Sequence, residues 1–472
     1  MTSVLSRQRR AALRAWFAAV VRPPARRAMP PGPRLPAMVQ TLLWAVAPVR
    51  FGKACLRRYG SLFTARILGF GEVVYICTPA GIRRILRDDA GAFDAAGANE
   101  SIRFLVGEYS LLMAEGAAHT SRRKVLTRPL HGDNVAAYIE VMVSITEQEV
   151  RRWPAGRTVR LLGCFQRVTL EVMIRAVFGI TGSARLNRLR ELVPRLLDLN
   201  PLIILVPSAR RDFGGFGPWA AFERLLREVD RIIYAEIADR RARPAADPAS
   251  AGSDVLSILM GHDQDGEHIT DTELRDHLVT LLAVGQETTA TQLAWFFERV
   301  LRAPGALQRV KAAIDGEDRK VLDAAIHEAI RVRPTTLDLG RKALRSWEYD
   351  GYVFPAGTMF AVSLGLLHSS GDLHAEPGVY SIERFFPAEP PSAHFMPFGG
   401  GGHRCLGASL AMVEMRTIIS TILRHVSLEV ATTAPERVRV KGPMLVPRRG
   451  AEVLVTENHL LSGTTSAVPV RE

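Results

Sequence analysis

The residues with the clearest chemical potential lie in a glycine-rich segment, FGGGGHRCLGASLA, at residues 398–411. A thiolate at Cys405 would be stabilised there by loop N–H groups, by the start of a helix predicted over residues 406–416, and by adjacent positive charge. A phosphate-binding loop would need a Gly-Lys-Ser/Thr sequence, and a zinc site would need more cysteines or histidines nearby. A single thiolate on a single iron is instead typical of haem.

A second group of reactive side chains lies inside the apolar stretch LVTLLAVGQETTATQLAWFF. Gly285 disfavours a helix interior by about 1 kcal/mol relative to alanine, and a buried unpaired carboxylate at Glu287 is more unfavourable still. Thr288 could return its hydroxyl to a backbone carbonyl and bend the helix. Several such unfavourable residues in one turn indicate a functional site. The alternative is a kinked helix with a satisfied carboxylate.

The element that must carry this second group is a long helix. Thr270 and Glu273 form a capping box that predicts a helix start. The helix should run over residues 271–302, about 48 Å at 1.5 Å per residue. Because its middle is apolar nearly all round, we expect it to be buried.

The remaining elements are mostly helical in pattern. Residues 61–77 alternate as two strands around a glycine turn, and the pattern from residue 79 onward is mainly that of helices. Residues 240–253 are rich in Pro, Ala and Ser and predict a linker.

Composition and charge exclude several classes of protein. The chain has 472 residues, 47% hydrophobic and 23% charged, which is ordinary for a globular protein. Its four cysteines form no close pair, which indicates a reducing compartment. Of the 61 basic residues, 13 precede the first acidic residue, Glu72, and the other 48 equal the 48 acidic ones. The net charge of +13 therefore belongs to the amino end, and no basic stripe for nucleic acid is indicated.

The amino end allows two interpretations. Residues 1–36 are rich in Arg and Pro, and their apolar piece is far shorter than the roughly 20 residues that span a bilayer. A secretory signal is not evident. The segment is either a basic tail or an amphipathic segment on an anionic membrane surface.

With these segments in place, the chain resembles the cytochromes P450. The family's ten-residue signature is matched position for position at Phe398, Gly399, Gly401, His403, Cys405 and Gly407. The sequence from Gly285 to Thr288 resembles the oxygen-activation motif, and Glu328 with Arg331 resembles the Glu-x-x-Arg pair. Order and spacing hold from about residue 30 to residue 455.

The resemblance implies a role for each matched residue. Cys405 would be the axial thiolate of haem b, iron protoporphyrin IX, and Glu287 and Thr288 would deliver protons during oxygen activation. The other residues fall into two sets. Those expected to contact the haem are His119, Arg123, Arg341, Phe398, His403 and Gly407, and those expected to form a structural ion network are Glu328, Arg331 and Arg384.

Three departures from the family pattern are evident. Val284 stands where the family usually has Ala or Gly, and it could narrow the oxygen pocket. Residues 369–371, Ser-Ser-Gly, replace Arg-Asp-Pro, and Ile382 replaces Pro before Glu383. Two other functions therefore stay open: a haem-thiolate sensor without turnover, and a peroxide-driven peroxygenase or oxygen-independent isomerase of the same fold.

The resemblance also implies the architecture and the partners. We expect a mainly α protein with a small β region, with residues 1–36 as a basic segment, 37–456 as one haem domain and 457–472 as a disordered tail. Expected partners are dioxygen, a small hydrophobic substrate, and a ferredoxin with its reductase or a similar electron donor. Substrate contacts should come from residues 91–112, 194–219, 335–339 and 442–446. The expected location is the cytoplasm, with peripheral contact at the inner membrane face.

Overall fold

The structure is a computed structural model that describes residues 29–179, 184–200, 203–204, 206–212, 214–242, 254–261 and 269–462. Helices dominate it. In chain order the helices are α1 (Ala37–Val46), α2 (Pro48–Tyr59), α3 (Pro79–Arg87), α4 (Asp89–Ala92), α5 (Ala95–Ala98), α6 (Arg103–Val106), α7 (Gly116–Thr127), α8 (Asp133–Ala136), α9 (Ile139–Val150), α10 (Leu161–Phe178), α11 (Ala184–Leu197), α12 (Gly217–Arg241), α13 (Val255–Gly261), α14 (Asp271–Val300), α15 (Ala306–Asp315), α16 (Arg319–Val332), α17 (Leu364–His368), α18 (Ala408–His425) and α19 (His459–Ser462).

The strands form four small sheets in the part of the chain that the structure describes. They are β1 (Leu62–Ile67), β2 (Gly71–Ile76), β3 (Phe93–Asp94), β4 (Arg157–Arg160), β5 (Asp338–Ala343), β6 (Trp347–Tyr349), β7 (Tyr352–Phe354), β8 (Met359–Ser363), β9 (Val426–Val430), β10 (Val438–Lys441), β11 (Met444–Pro447) and β12 (Glu452–Asn458). The largest sheet has five strands in the order β1-β2-β8-β5-β3, with β2 and β8 parallel. The smaller sheets are β4-β12-β9, β10-β11 and β6-β7.

Helix α14 is the centre of the helical part. It packs against α10, α12, α16 and α18, and its carboxyl-terminal half contributes fully buried aromatic side chains, among them Trp295 and Phe297. Thr270 caps its first turn by accepting from Glu273 N, and the Glu273 side chain caps the Thr270 N–H in return. Helix α10 is apolar along most of its length, and it ends where Gly179 adopts a left-handed conformation with φ of 67°.

These observations confirm the expected mainly helical fold with a small β region. The capping box is present, and the long helix ends at Val300, two residues before its predicted end. Helix α18 begins at Ala408, two residues after its predicted start. The predicted linker begins too early, because Arg240 lies inside α12, is buried, and donates to Asp254 Oδ1 at 2.9 Å. Residues 243–253 of that linker lie outside the described residues.

The folded part extends past both predicted domain boundaries. Thr64 N donates to Pro31 O at 3.1 Å, so the loop before α1 packs along β1. At the other end β12 continues to Asn458, whose buried amide donates to Val150 O and Trp153 O at 2.9 and 2.8 Å. Residues 1–28 and 463–472, which include most of the predicted basic segment and tail, lie outside the described residues. Among the helices described, none is both long and apolar enough to cross a membrane.

Candidate active site

The glycine-rich loop presents the Cys405 thiol from a hydrogen-bonded turn. Cys405 N donates to Phe398 O at 2.9 Å, which closes the loop, and Gly407 N-caps the helix α18 that follows. Gly399 has φ of 70°, and a Cβ there would lie 3.2 Å from Leu339 of β5. A larger residue at Gly399 would therefore be both strained and crowded.

The thiol of Cys405 lies among cations and N–H donors. Burial holds the pKa of the thiol above its ordinary value, although the Gly407 N–H and the charges of Arg123 and Arg404 act to lower it. The residue is nevertheless exposed to solvent. A thiol that is accessible, alone and near positive charge is suited to bind a metal as thiolate.

Two histidines predicted to contact the haem lie side by side. The rings of His119, in α7, and His403 have centroids 4.0 Å apart. His403 Nε2 is 3.3 Å from Glu115 Oε2, while Glu115 Oε1 accepts from Ala95 N and Ala96 N at 2.7 and 2.9 Å. Burial alone would raise the pKa of Glu115, but the bonds from His403, Ala96 and Ala95 hold it below its ordinary value. Glu115 therefore fixes the His403 ring, and no sequence motif pointed to it.

Arg341 approaches the loop from β5. It lies two residues after Leu339 on the same face of the strand, and Leu339 is the side chain that meets Gly399. Arg341 is buried, and its Nη1 donates to Gly340 O at 2.8 Å. Arg123, in α7, is half-buried, and burial lowers the pKa of its guanidinium while the charge of Cys405 raises it. The predicted haem contacts thus converge on the loop from α7 and β5.

The middle of α14 has one solvent-accessible stretch, named the opening here, at Val284 and Thr288. The helix is buried along most of its length, but Val284 is 41% exposed and Thr288, one turn later on the same face, is partly exposed. Thr288 Oγ1 donates to Val284 O at 2.7 Å, the back-bond expected from the sequence. Gly285 has a packing reason, since a Cβ there would lie 2.8 Å from Met173 Sδ of α10.

Glu287 points away from that opening into a polar contact between three elements. Its Oε1 accepts from Gln166 Nε2 of α10 at 2.8 Å and from Lys441 Nζ, at the end of β10, at 3.0 Å. The side chains of Glu287 and Lys441 are 11% and 23% exposed. The buried carboxylate is therefore paired, as the alternative interpretation of the sequence required, and Lys441 is the partner nearer to solvent.

The three residues predicted to form an ion network are in contact. The Arg331 guanidinium donates to both oxygens of Glu328 at 2.7 Å, and Arg384 Nε donates to Glu328 Oε1 at 3.2 Å. Arg331 also donates to the carbonyls of His368 and Pro377, both at 2.9 Å. The side chains of Glu328 and Arg331 are fully buried. The network thus joins α16 to the segment that leads to the glycine-rich loop.

His368 connects this network to the loop. Its Nε2 accepts from Met396 N at 3.0 Å, two residues before Phe398. Burial lowers the pKa of His368 to about 3, so the ring is neutral at physiological pH. The departures nearby are accommodated without a charged contact. Ser370 O accepts from His374 N at 3.1 Å, and Ile382 is buried in the core.

A buried acid links α14 to α18. Glu414, nine residues after Cys405, is fully buried, and Thr289 hydrogen-bonds its carboxyl group. Its Oε1 has no hydrogen-bond partner. Burial raises the pKa of Glu414 to about 8. No local pattern marks this residue, which resembles any other charged position on an amphipathic helix.

The four segments expected to contact substrate meet in two pairs. Arg210, in residues 194–219, donates to Ser101 O at 3.2 Å and stacks over Phe104 at 4.7 Å, while the rings of Phe104 and Trp219 are 5.5 Å apart. Residues 335–339 and 442–446 are joined by Leu445 N, which donates to Thr335 O at 2.8 Å.

The donor set fits a haem. Among the described residues no three His, Cys, Asp or Glu side chains converge as ligands for a metal ion, and the loop offers one accessible thiol beside Arg123 and Arg404. The paired histidine rings and Arg341 lie on elements that adjoin the same loop. Such a set would hold a metal carried by an anionic macrocycle.

Comparison with known proteins agrees with this geometry. A family model described as cytochrome P450 matches residues 30–455. The chain is 38% identical over 449 residues to "Putative cytochrome P450 135B1" of Mycobacterium tuberculosis strain H37Rv, covering 93% of this chain and 94% of that protein. It is 32% identical over 431 residues to "Putative cytochrome P450 138" of the same strain, covering 90% and 96%.

A solved structure shares the fold. The retinoic acid-bound cyanobacterial CYP120A1 superposes with a TM-score of 0.78, covering 89% of this chain and 96% of that chain at 22% sequence identity. At this identity the likeness shows the fold, including the single large helical unit around the glycine-rich loop.

Proposed function

Because the chain belongs to the cytochrome P450 family, we propose that it inserts one atom of dioxygen into a hydrophobic organic substrate, using electrons from a separate protein. The family is one of haem-thiolate monooxygenases, and its cofactor is haem b. The observation that carries the proposal is the accessible Cys405 thiol on a closed glycine loop, with Arg123, Arg404 and the His119–His403 pair around it.

Different residues around the loop are proposed to bind different parts of the cofactor. Cys405 Sγ is the proposed iron ligand, and His119, Arg123, Arg341 and His403 are the proposed partners of the haem propionates. Phe398 closes the loop through its carbonyl, and Gly407 directs an N–H toward the sulfur. When bound, haem supplies dioxygen activation and oxygen transfer.

The turn at Glu287 and Thr288 is the proposed route for protons. The Thr288 hydroxyl donates its hydrogen to Val284 O. Its oxygen lone pairs therefore stay available to accept a hydrogen bond from a water in the opening. Glu287 is held by Lys441, whose side chain is the more exposed of the two. We propose that Glu287 takes up protons from the solvent side at Lys441 and carries them to the opening by a change of its side-chain rotamer, and that Thr288 Oγ1 holds the water that receives them there. A sensor would need neither the acid nor the alcohol, so the presence of Glu287 and Thr288 supports the enzyme.

The assignment of Cys405 is tested by spectroscopy. In the reduced protein with carbon monoxide, the wild type should give the red-shifted Soret band of a thiolate-bound haem, and Cys405→Ser should lose it. Cys55→Ala, at a buried cysteine far along the chain, is the matched control and should keep the band. A thiolate spectrum retained in Cys405→Ser would refute the ligand assignment.

Turnover separates the enzyme from the alternatives. A library of lipids and terpenoids is first screened for compounds that shift the Soret band. The compounds that bind are then incubated with a surrogate ferredoxin and its reductase. Oxygenated product with that donor, and its dependence on dioxygen, would support a monooxygenase. Product with hydrogen peroxide alone would indicate a peroxygenase, and binding without any product would indicate a sensor.

The proposed electron donor is an acidic ferredoxin that docks on the Cys405 side. Lys124 and Arg404 are exposed there, whereas Arg416 is paired with Asp323 at 2.9 Å between Nη2 and Oδ2. Small electron-transfer contacts of this kind are sensitive to salt. Lys124→Gln with Arg404→Gln should raise the KM for ferredoxin and weaken its salt dependence. An unchanged KM would exclude this face.

The proposed substrate is lipophilic, and the enzyme is proposed to work in the cytoplasm with peripheral contact at the inner membrane face. The aromatic contact of Phe104 with Trp219, and the exposed Phe216 in the same segment, support an apolar route to the site. Retinoic acid, the ligand bound to CYP120A1, is also largely apolar. The amino-terminal part of the expected membrane contact, residues 1–28, lies outside the described residues.

A further inference from the structure

The first helix of the structure buries two polar side chains and exposes a stripe of apolar ones, while its Leu43 and Trp44 pack partly buried against the core. The buried residues of α1 are Gln40 and Thr41. Met38, Leu42 and Val46 are 69%, 62% and 70% exposed. These three are spaced four residues apart and therefore form one stripe along the helix. A helix that faces water on its outer side normally shows the opposite arrangement.

The inversion has a structural cause. The Gln40 amide donates to two backbone carbonyls of the preceding loop, and its Oε1 accepts from Arg66 N of β1 at 2.9 Å. Thr41 Oγ1 accepts from Leu68 N, just beyond β1, at 2.8 Å. Because these side chains occupy the edge of β1, which would otherwise lack partners, α1 cannot rotate without leaving buried N–H groups unsatisfied. The apolar stripe is therefore held facing outward.

The surroundings of the stripe are apolar and cationic. Leu68 is exposed on the turn after β1, and its N–H bond to Thr41 keeps it next to α1. Arg34 and Arg50, at the two ends of the helix, are exposed. No acidic residue precedes Glu72 in the sequence. The nearest acidic residue in sequence is Glu72, four residues after Leu68 and in register with Arg66 across the hairpin. The chemistry that complements an apolar stripe between cations is an anionic lipid surface.

We propose that this face docks on an anionic lipid bilayer, with α1 lying in the interface plane. The docking face is defined as Met38, Leu42, Val46, Leu68, Arg34 and Arg50. It gives the proposed peripheral membrane contact a specific folded surface, distinct from residues 1–28 and from residues 194–219. It does not depend on turnover, so a failure of the monooxygenase assay would leave it standing, and the reverse also holds.

The test uses the full haem-loaded chain and vesicles of phosphatidylglycerol and phosphatidylcholine in equal parts, with pure phosphatidylcholine as reference. The wild type should cosediment with the mixed vesicles, more weakly as salt rises. Met38→Ser, Leu42→Ser and Val46→Ser together should weaken partitioning on the order of tenfold to a hundredfold, because three apolar side chains no longer enter the interface. The matched control replaces Leu344, Val353 and Val379, which are also exposed, and should bind as the wild type does.

A second measurement locates the contact without depending on the triple variant. A polarity-sensitive fluorophore on Leu42→Cys should shift to the blue with the mixed vesicles, and the same label on Val379→Cys should not. Three results would overturn the proposal. They are wild-type binding by the triple serine variant with no shift at position 42, binding that disappears only when Arg7, Arg9, Arg10 and Arg14 are replaced by Gln, and a wild-type dimer in solution that the triple variant converts to monomer. The last would assign the stripe to a second copy of the chain.

Discussion

Replacing Glu414 by Gln should change how the stability of the protein depends on pH. Glu414 is fully buried between α18 and α14, receives a hydrogen bond from Thr289, and leaves its Oε1 without a partner. Its pKa is raised from 4.5 to about 8 because burial disfavours the charged form. Gln has nearly the same shape, can still accept from Thr289, and carries no charge at any pH.

The size and sign of the effect follow from proton linkage. Between pH 4.5 and about 8 the native carboxyl holds its proton and the unfolded one does not, so unfolding releases a proton. The stabilising contribution is complete below the unfolded pKa and is lost as pH rises through the folded pKa, at up to about 1.4 kcal/mol per pH unit. From about pH 5 to pH 8 this amounts to as much as about 4 kcal/mol. The Glu414→Gln variant lacks this loss.

The assay is the free energy of urea unfolding of the haem-loaded protein, measured from about pH 5 to about pH 8.5. The variant should be equal to or slightly less stable than the wild type at the acid end and more stable at the alkaline end. Glu348→Gln, at an exposed position, is the matched control and should run parallel to the wild type. The variant and the wild type are compared at equal haem loading, and the difference between their curves of unfolding free energy against pH removes the contribution of haem binding. Parallel curves for Glu414→Gln and the wild type would refute the assignment of a buried neutral acid.

Three further substitutions test other contacts. Arg331→Met removes the two shorter bonds to the fully buried Glu328 carboxylate and leaves it the longer bond from Arg384, so stability should fall by about 3–5 kcal/mol. A thermal melting curve without such a loss would show that the network is dispensable. Gly285→Ala should lower stability by about 1 kcal/mol, because overpacking against Met173 exceeds the gain in helix propensity, and Met173→Ala should relieve the loss in the double variant. Lys441→Met should lower the amount of product formed per electron consumed, since Glu287 loses its solvent-side partner. Lys441→Arg keeps a cation beside Glu287 and should keep the wild-type yield. Equal yields from the two variants would exclude a role for the lysine.

The sequence predicted well what depends on neighbours along the chain. The capping box at Thr270, the strands around the glycine turn, and the length of α14 to within two residues all follow from local pattern. The partners of the reactive side chains could not be predicted, because they come from distant segments. Lys441 is 154 residues beyond Glu287, and Glu115 is 288 residues before His403. Neither has a local pattern that distinguishes it from a surface residue.

Helix α1 shows a second limit. Periodicity separates the polar side of a helix from its apolar side, but it does not say which side faces inward. Here the answer depends on β1. Gln40 and Thr41 accept hydrogen bonds from N–H groups at the edge of this strand, and Leu42 therefore faces outward. Only the register between the helix and the strand decides this, and that register is a tertiary property.

The unfavourable residues in the middle of α14 have different causes and should be weighed separately. Gly285 is explained by the approach of Met173, so its low helix propensity is evidence of packing and not of chemistry. Glu287 is satisfied by Gln166 and Lys441, yet a buried ion pair is weak evidence for stability, since apolar residues of similar volume would often serve as well. Thr288 makes a back-bond that contributes little to any tertiary contact. Packing therefore accounts for the glycine, and the acid and the alcohol remain as the two features that a purely structural helix would not need.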